Sequence, residues 1–186
     1  VDIIGSISIT DADGDELTGI LTFDVDPVND PPTATNTDQT LTYTEGDSSV
    51  AIDDIVITEA DTIVASTDVD TTNTDTTAET VSVTVTLSDS EAGALTADSG
   101  EGESYDSSTG VWSISGVSEE TASTALADMA FEPATNQDVD ITAAVSITDA
   151  DGEEITGTLT FDVTPVNDAP TATNMTQSLS FVEDDA

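Results

Sequence analysis

The side chains able to do chemistry in this sequence are almost all carboxylates. There are 40 Asp plus Glu and no Lys, Arg, His or Cys, which gives a formal charge of −40 over 186 residues. Without histidine the usual general base and transition-metal ligand are missing. Without cysteine there are no disulfides, thiolates or thiolate–zinc sites. Nucleic acid and anionic membrane are excluded as direct partners, because both are bound through clustered Lys and Arg. What remains is oxygen: carboxylates, amide carbonyls and hydroxyls. Those ligands suit hard cations, with Ca2+ ahead of Mg2+ because it accepts six to eight oxygens in flexible geometry.

The acids worth weighing recur in short patterns. Asp11-Ala12-Asp13-Gly14 returns as Asp149-Ala150-Asp151-Gly152, and Val28-Asn29-Asp30 as Val166-Asn167-Asp168. Asp-Ala-Asp-Gly fits a Ca2+ loop, and it also fits a metal-free Asx turn closing a hairpin. Asn29-Asp30 and Asn167-Asp168 read as ligands or as plain proline-stiffened spacers. Glu45, Glu59 and Asp61 follow predicted strands. Glu119 opens a predicted helix, and Glu183 is the copy of Glu45. Most of the other acids, Asp38, Asp75, Asp98, Glu101 and Glu103 among them, read as solvated surface.

The elements that must position these groups are strands. Apolar, largely β-branched residues alternate with Thr and Ser, which argues for a folded chain where the charge alone suggests disorder. Strands are predicted at Gln39–Thr44, Val50–Thr58, Thr80–Leu87, Val111–Ile114, Ile141–Thr148 and Ile155–Val163, the last two forming a hairpin. Ser118 to Ala130 begins with a capping serine and early acids and then turns Ala-rich, which predicts one short helix. The spacing suggests an all-β Greek-key sandwich. No apolar run is long enough to span a membrane.

The same chain repeats itself. Residues 1–48 return at 139–186, and 31 of the 48 aligned pairs are identical. This reads as a tandem array with a domain-sized period, joined at Pro27-Val28-Asn29-Asp30-Pro31-Pro32 and Pro165-Val166-Asn167-Asp168-Ala169-Pro170. Proline makes those joints stiff and extended. On that frame residues 1–30 are the C-terminal hairpin of a preceding repeat, 31–168 a complete repeat, and 169–186 the first strand of the next. The end of the second strand and the last hairpin turn should lie beside Asn29-Asp30, with Glu45 reaching the same region. Six carboxylates would then crowd one small volume.

These residues resemble cadherin-like, Ig-like tandem repeats, especially those of giant calcium-dependent (RTX-type) bacterial adhesins. Val28-Asn29-Asp30 followed by proline is similar to the inter-domain calcium motif. Glu59-Ala60-Asp61 is similar to the acid-x-Asp loop, Glu45 to the early glutamate, and Tyr105 to Trp112 to the hairpin between the fourth and fifth strands. Pro27 and Pro165 stand where the linker motif opens with an acid, and the Glu119-Glu120 helix replaces the segment after the fifth strand. The resemblance implies a cadherin-like sandwich with Ca2+ at the joints between adjacent repeats of the same chain.

The function expected is a calcium-rigidified extender of a secreted, bacterial cell-surface adhesin, with no nucleic-acid partner and no membrane insertion. Other domains would grip a cell-surface glycan or protein. The lack of Lys and Arg points the same way, to an exported protein in salty water. The alternative is a carbohydrate- or protein-binding module using Trp112 and Tyr105 as a stacking platform, against which stands simple core packing of Trp112. An enzyme is not expected: paired carboxylates alone lack the aromatic subsites of a glycosidase. Ice binding is also not expected, since Thr-x-Thr is scattered over Thr33–Thr37, Thr71–Thr77 and Thr84–Thr86.

Overall fold

A computed structural model describes residues 3–23, 29–59, 79–180 and 183. The chain opens with a hairpin, β1 (Ile3–Thr10) and β2 (Glu16–Phe23), which forms a two-stranded sheet. The short β3 (Thr33–Ala34) and β4 (Gln39–Thr44) follow. Next come β5 (Val50–Ala51), β6 (Ile57–Thr58), β7 (Val81–Leu87) and β8 (Gly93–Leu95). A second hairpin, β9 (Ser104–Asp106) and β10 (Val111–Val117), leads to helix α1 (Glu119–Ala127). β11 (Ala130–Pro133) and a long hairpin, β12 (Ile141–Asp149) and β13 (Glu154–Thr164), complete the set.

One layer is a six-stranded sheet in the order β4-β13-β12-β7-β10-β9. The other consists of a three-stranded sheet, β5-β11-β8, and the β3-β6 pair. The fold is all-β with one short helix, arranged as a sandwich. Period-two alternation explains the inner row of β7, where Val81, Val83, Val85 and Leu87 are buried. β12 repeats it with Ile141, Ala143, Val145 and Ile147, and β13 with Leu159, Phe161 and Val163. Phe131 from the opposing layer stacks on Phe161 at 4.4 Å and meets Tyr43 edge-on at 6.1 Å. Trp112 is fully buried in the same core. A stacking platform on Trp112 is thereby overturned.

The outer face of the six-stranded sheet is hydroxyl-rich. Thr156, Ser146, Thr84, Ser113 and Ser104 pair in one row across five strands, as β-propensity on a solvated face dictates.

One strand expectation needs correction. Val50–Thr58 is not continuous: β5 pairs with β11 and β6 with β3. Between them the Gln39 amide takes both main-chain groups of Asp53, and Asn36 donates to the Asp54 carbonyl. Side chains thus replace a strand neighbour there. The Tyr105 to Trp112 hairpin is present as β9–β10 and extends the six-stranded sheet beyond β7.

The β4–β13 pairing is parallel, running from Gln39 opposite Leu159 to Thr44 opposite Thr164. It requires a close approach at Gly157, where a Cβ would stand 2.3 Å from the Thr37 carbonyl oxygen. The chain therefore reaches the sandwich at one end, near Asn29, and departs from the other, after Thr164. These are the leading and trailing ends below.

The two copies of the repeated hairpin keep one register: Ile3 opposes Phe23 as Ile141 opposes Phe161. Their burial differs. Phe23 is 53% exposed and Ile9 61%, whereas Phe161 and Ile147 are 0% exposed.

The Tyr43 hydroxyl is buried without a hydrogen-bond partner among the described residues, and burial first, then Asp140 and Glu45, pushes its pKa up. The equivalent position in the next copy is Phe181. Tyr43→Phe is expected to leave stability unchanged or raise it by about 1 kcal/mol. Phe131→Ala should cost about 3–5 kcal/mol. Denaturant melts of the two variants check both.

Candidate metal centre

Strand phase delivers carboxylates to the ends of the sandwich. The inner row of β12 runs Ile141, Ala143, Val145, Ile147 and then Asp149, which is 6% exposed. On the other layer Ile55 and Ile57 are followed in phase by Glu59, also 6% exposed. Both strands run toward the leading end. The register places Val117 opposite Val81 and Val81 opposite Asp149, so the start of α1 shares that end.

Asn29 spans from the incoming chain to this group. Its amide nitrogen donates to Asp149 Oδ2 at 3.0 Å and to the Glu153 carboxylate. Asp149 Oδ1 accepts the N–H of Gly152 at 2.7 Å and of Glu153 at 2.9 Å. Burial opposes ionisation of Asp149, but the Asn29 amide and the N–H groups of Glu153, Gly152 and Asp151 outweigh it and hold the carboxyl below its ordinary value. The Glu59 N–H donates to the Glu119 carboxylate. Ser118 caps α1 by accepting the Thr121 N–H, and Ser123 accepts the Ile57 N–H at 3.0 Å. The helix thereby fixes both Glu119 and the strand that carries Glu59.

The leading end thus gathers Asn29, Glu59, Glu119, Asp149 and Glu153, with Asp30 one residue beyond Asn29 and Asp151 exposed in the hairpin turn. Asp61 lies outside the described residues. Glu45 does not belong to this group. Because β4 runs parallel to β13, Glu45 emerges at the trailing end, where its N–H donates to the Thr164 carbonyl and its carboxylate accepts the Val166 N–H at 2.8 Å. There it lines a cleft of about 290 Å3 with Asp47, Pro133 to Asn136, Val166 and Asp168. Asn167 and Asp168 are exposed, and the Asn167 amide donates to the Asp168 carbonyl. Glu183 is exposed. Asp11 accepts the N–H groups of Asp13 and Asp15 at 3.0 and 2.9 Å, so that turn closes on itself.

Among the described residues the expected crowding of carboxylates in one volume is not found. Among the described residues no group of three or more acids is arranged to hold a metal ion by itself, because Glu45 lies at the far end and Asp151 turns outward. Sequence reasoning missed Glu153 and Asp47. The first is disguised by facing Asp15 in the repeat, and the second by lying in an ordinary turn.

The donor set nonetheless fits a hard cation. It is entirely oxygen, and a carboxylate has about four lone-pair sites, of which Asp149 uses three on Asn29, Gly152 and Glu153. Buried carboxylates demand positive charge or dense hydrogen bonding. With no Lys, Arg or His in the sequence, any full positive side-chain partner must come from outside it. The oxygen donors available to such an ion are those of Asn29, Asp30, Glu59, Glu119, Asp149 and Glu153 at the leading end and of Glu45, Asp47 and Asp168 at the trailing end, and neither set is gathered into one closed site.

No family model matches the sequence, and no curated protein matches it. Among solved structures the chain is similar to the protocadherin ectodomain fragment PcdhgB3 EC1-4, at 13% identity and a TM-score of 0.36, over 87% of this chain and 39% of that one. The likeness is one of outline, and the sandwich assignment rests on the strand order itself. The chain thus spans well under half of that neighbour. No helix among the described residues is long and apolar enough to cross a membrane.

Asp149 supplies a pH prediction. A carboxyl held low in the folded state contributes stability above its unfolded pKa, about 3.9, and loses it as pH falls through the folded value. In chelator, a carboxyl-carbon NMR titration should place Asp149 below the ordinary range, and Asn29→Ala should return it upward. An unmoved Asp149 in that variant would contradict the contact.

Proposed function

We propose that this chain is a calcium-stabilised extender repeat of a large bacterial cell-surface adhesin, secreted and without enzymatic activity. Its partners are adjacent repeats of the same chain, with Ca2+ between them. The observation that supports this most is the placement of Asp149 and Glu59. Each ends an inward-facing row at the end where the linker arrives, in a sequence with no cationic side chain. A divalent ion there neutralises the buried acids and ties the linker to two layers at once.

The repeat supports the array. The apolar face of β1–β2 is exposed, while the same residues of β12–β13 are buried. The first hairpin therefore suits the core of a preceding sandwich. The high negative charge keeps such an array soluble and its neighbours apart, and no part of it suits nucleic acid or membrane insertion. Glycan or protein capture belongs to other domains.

Calcium at 100 times its dissociation constant should stabilise the folded state by about 2.7 kcal/mol per site. The melting temperature is expected to rise continuously with log calcium concentration, and Glu59→Gln with Asp149→Asn to blunt that rise. Two linked repeats should extend in calcium and bend in chelator by small-angle scattering. Identical melting and identical dimensions in both buffers would sink the proposal.

A further inference from the structure

The β4–β13 ladder joins the first long strand of the sandwich to its last, and it does so in parallel. Tension along the chain pulls β4 from its N-terminal side, at the leading end, and β13 from its C-terminal side, at the trailing end. Two parallel strands pulled this way slide past one another, so their cross-strand bonds are loaded together rather than one at a time. Six residue pairs share the load, from Gln39–Leu159 to Thr44–Thr164.

Both ends of the ladder carry an additional bond. Asp38 Oδ1 accepts the Thr158 N–H at 2.9 Å, immediately before the first pair. The Glu45 carboxylate accepts the Val166 N–H at 2.8 Å, just after the last. Upstream, the Gln39 amide binds the main chain of Asp53 on both its nitrogen and its oxygen. The Thr37 backbone sits against Gly157, where no side chain fits. Asp38 belongs to no metal-ligand set considered above, so its bond to β13 has a separate use.

We infer that the β4–β13 ladder, bracketed by Asp38 and Glu45, is a shear clamp that bears tension passed along the chain. The inference rests on the array reading only in supposing that such tension is applied. The alternative load path is weak: β3 and β6 share only two residue pairs, so force arriving at Asn29 passes them quickly to β4.

The test is single-molecule pulling of the full chain, which has no cysteine of its own and accepts unique thiol handles. Pro31→Cys with Ala169→Cys loads the ladder in shear. Ser107→Cys with Ala169→Cys pulls across the sheet from the β9–β10 turn. The first pair should resist the greater force. Asp38→Ala should speed unfolding under constant load on the first axis by about fivefold, the effect of losing one modest hydrogen bond, and leave the second axis unchanged. Asp38→Asn, which keeps an acceptor oxygen, should restore most of the loss. Equal forces on the two axes, or Asp38→Ala without effect on the first, overturn the clamp. Repeating both axes in calcium and in chelator separates the two proposals. Anisotropy that persists without any calcium effect counts against the calcium-stabilised joint and leaves the clamp standing.

Discussion

Burying a carboxylate where no cationic side chain exists is the constraint on which this structure turns. Three inward-facing rows end in an acid: Asp149 after Ile147 and Glu59 after Ile57, both buried, and Glu45 after Tyr43, half-buried. Leaving one such group without donors costs about 1–3 kcal/mol, more when it is charged. The local answer is N–H donors. Asp149 takes two from its own turn and one from Asn29, and Glu45 takes one from Val166. Those donors come from the connectors, so satisfying the acids also fixes where the chain arrives and departs. Dipoles do not cancel a net charge, however, and the remaining demand for positive charge falls on solution ions.

Helix α1 braces the same end of the sandwich. The helix buries Ala122, Ala125 and Leu126 against the core and offers the Ser123 hydroxyl to the backbone of β6. Its first turn carries Glu119 and Glu120, favourable at a helix N-terminus by about 0.3–1 kcal/mol each when exposed. Placing Glu119 beside the Glu59 N–H uses the helix dipole to hold an acid next to another acid. A segment that interrupts an all-β pattern is thus a support for the acidic leading end of the sandwich.

Strand phase was legible wherever one face met the core over several residues. β7, β12 and β13 could be read from alternation, and α1 from Ser118 and the acids after it. The short β3, β8 and β11, each two to four residues long, lack the length for a period to show, and their pairing depends on distant neighbours. The break between β5 and β6 was hidden for a related reason: it is made by Gln39 and Asn36, more than ten residues away. The ends of the sandwich were half legible. That Asn29, Glu59 and Asp149 share one end follows from the chain entering at one end of a sandwich. The position of Glu45 does not, because it depends on the direction of β4, and a parallel partner cannot be told from an antiparallel one by local alternation.

The repeated hairpin separates what local sequence dictates from what context adds. β1–β2 and β12–β13 share turn sequence, register and even the serine–glutamate contact of Ser8 with Glu16 and Ser146 with Glu154. The Asp-Ala-Asp-Gly turn and the pleat therefore suffice to set the pairing. Burial is not set locally: Leu21 and Phe23 stand in solvent where Leu159 and Phe161 are covered by Phe131, Tyr43 and their neighbours. The acid follows the same rule. Asp149 becomes buried and bound by Asn29 because a core lies behind it and the incoming chain in front, whereas Asp11, in nearly the same sequence context, stays exposed and among the described residues binds its own turn. A charged site of this kind is a property of the place where the incoming chain meets the sandwich, since neither the turn nor the incoming segment creates the buried, hydrogen-bonded carboxylate alone.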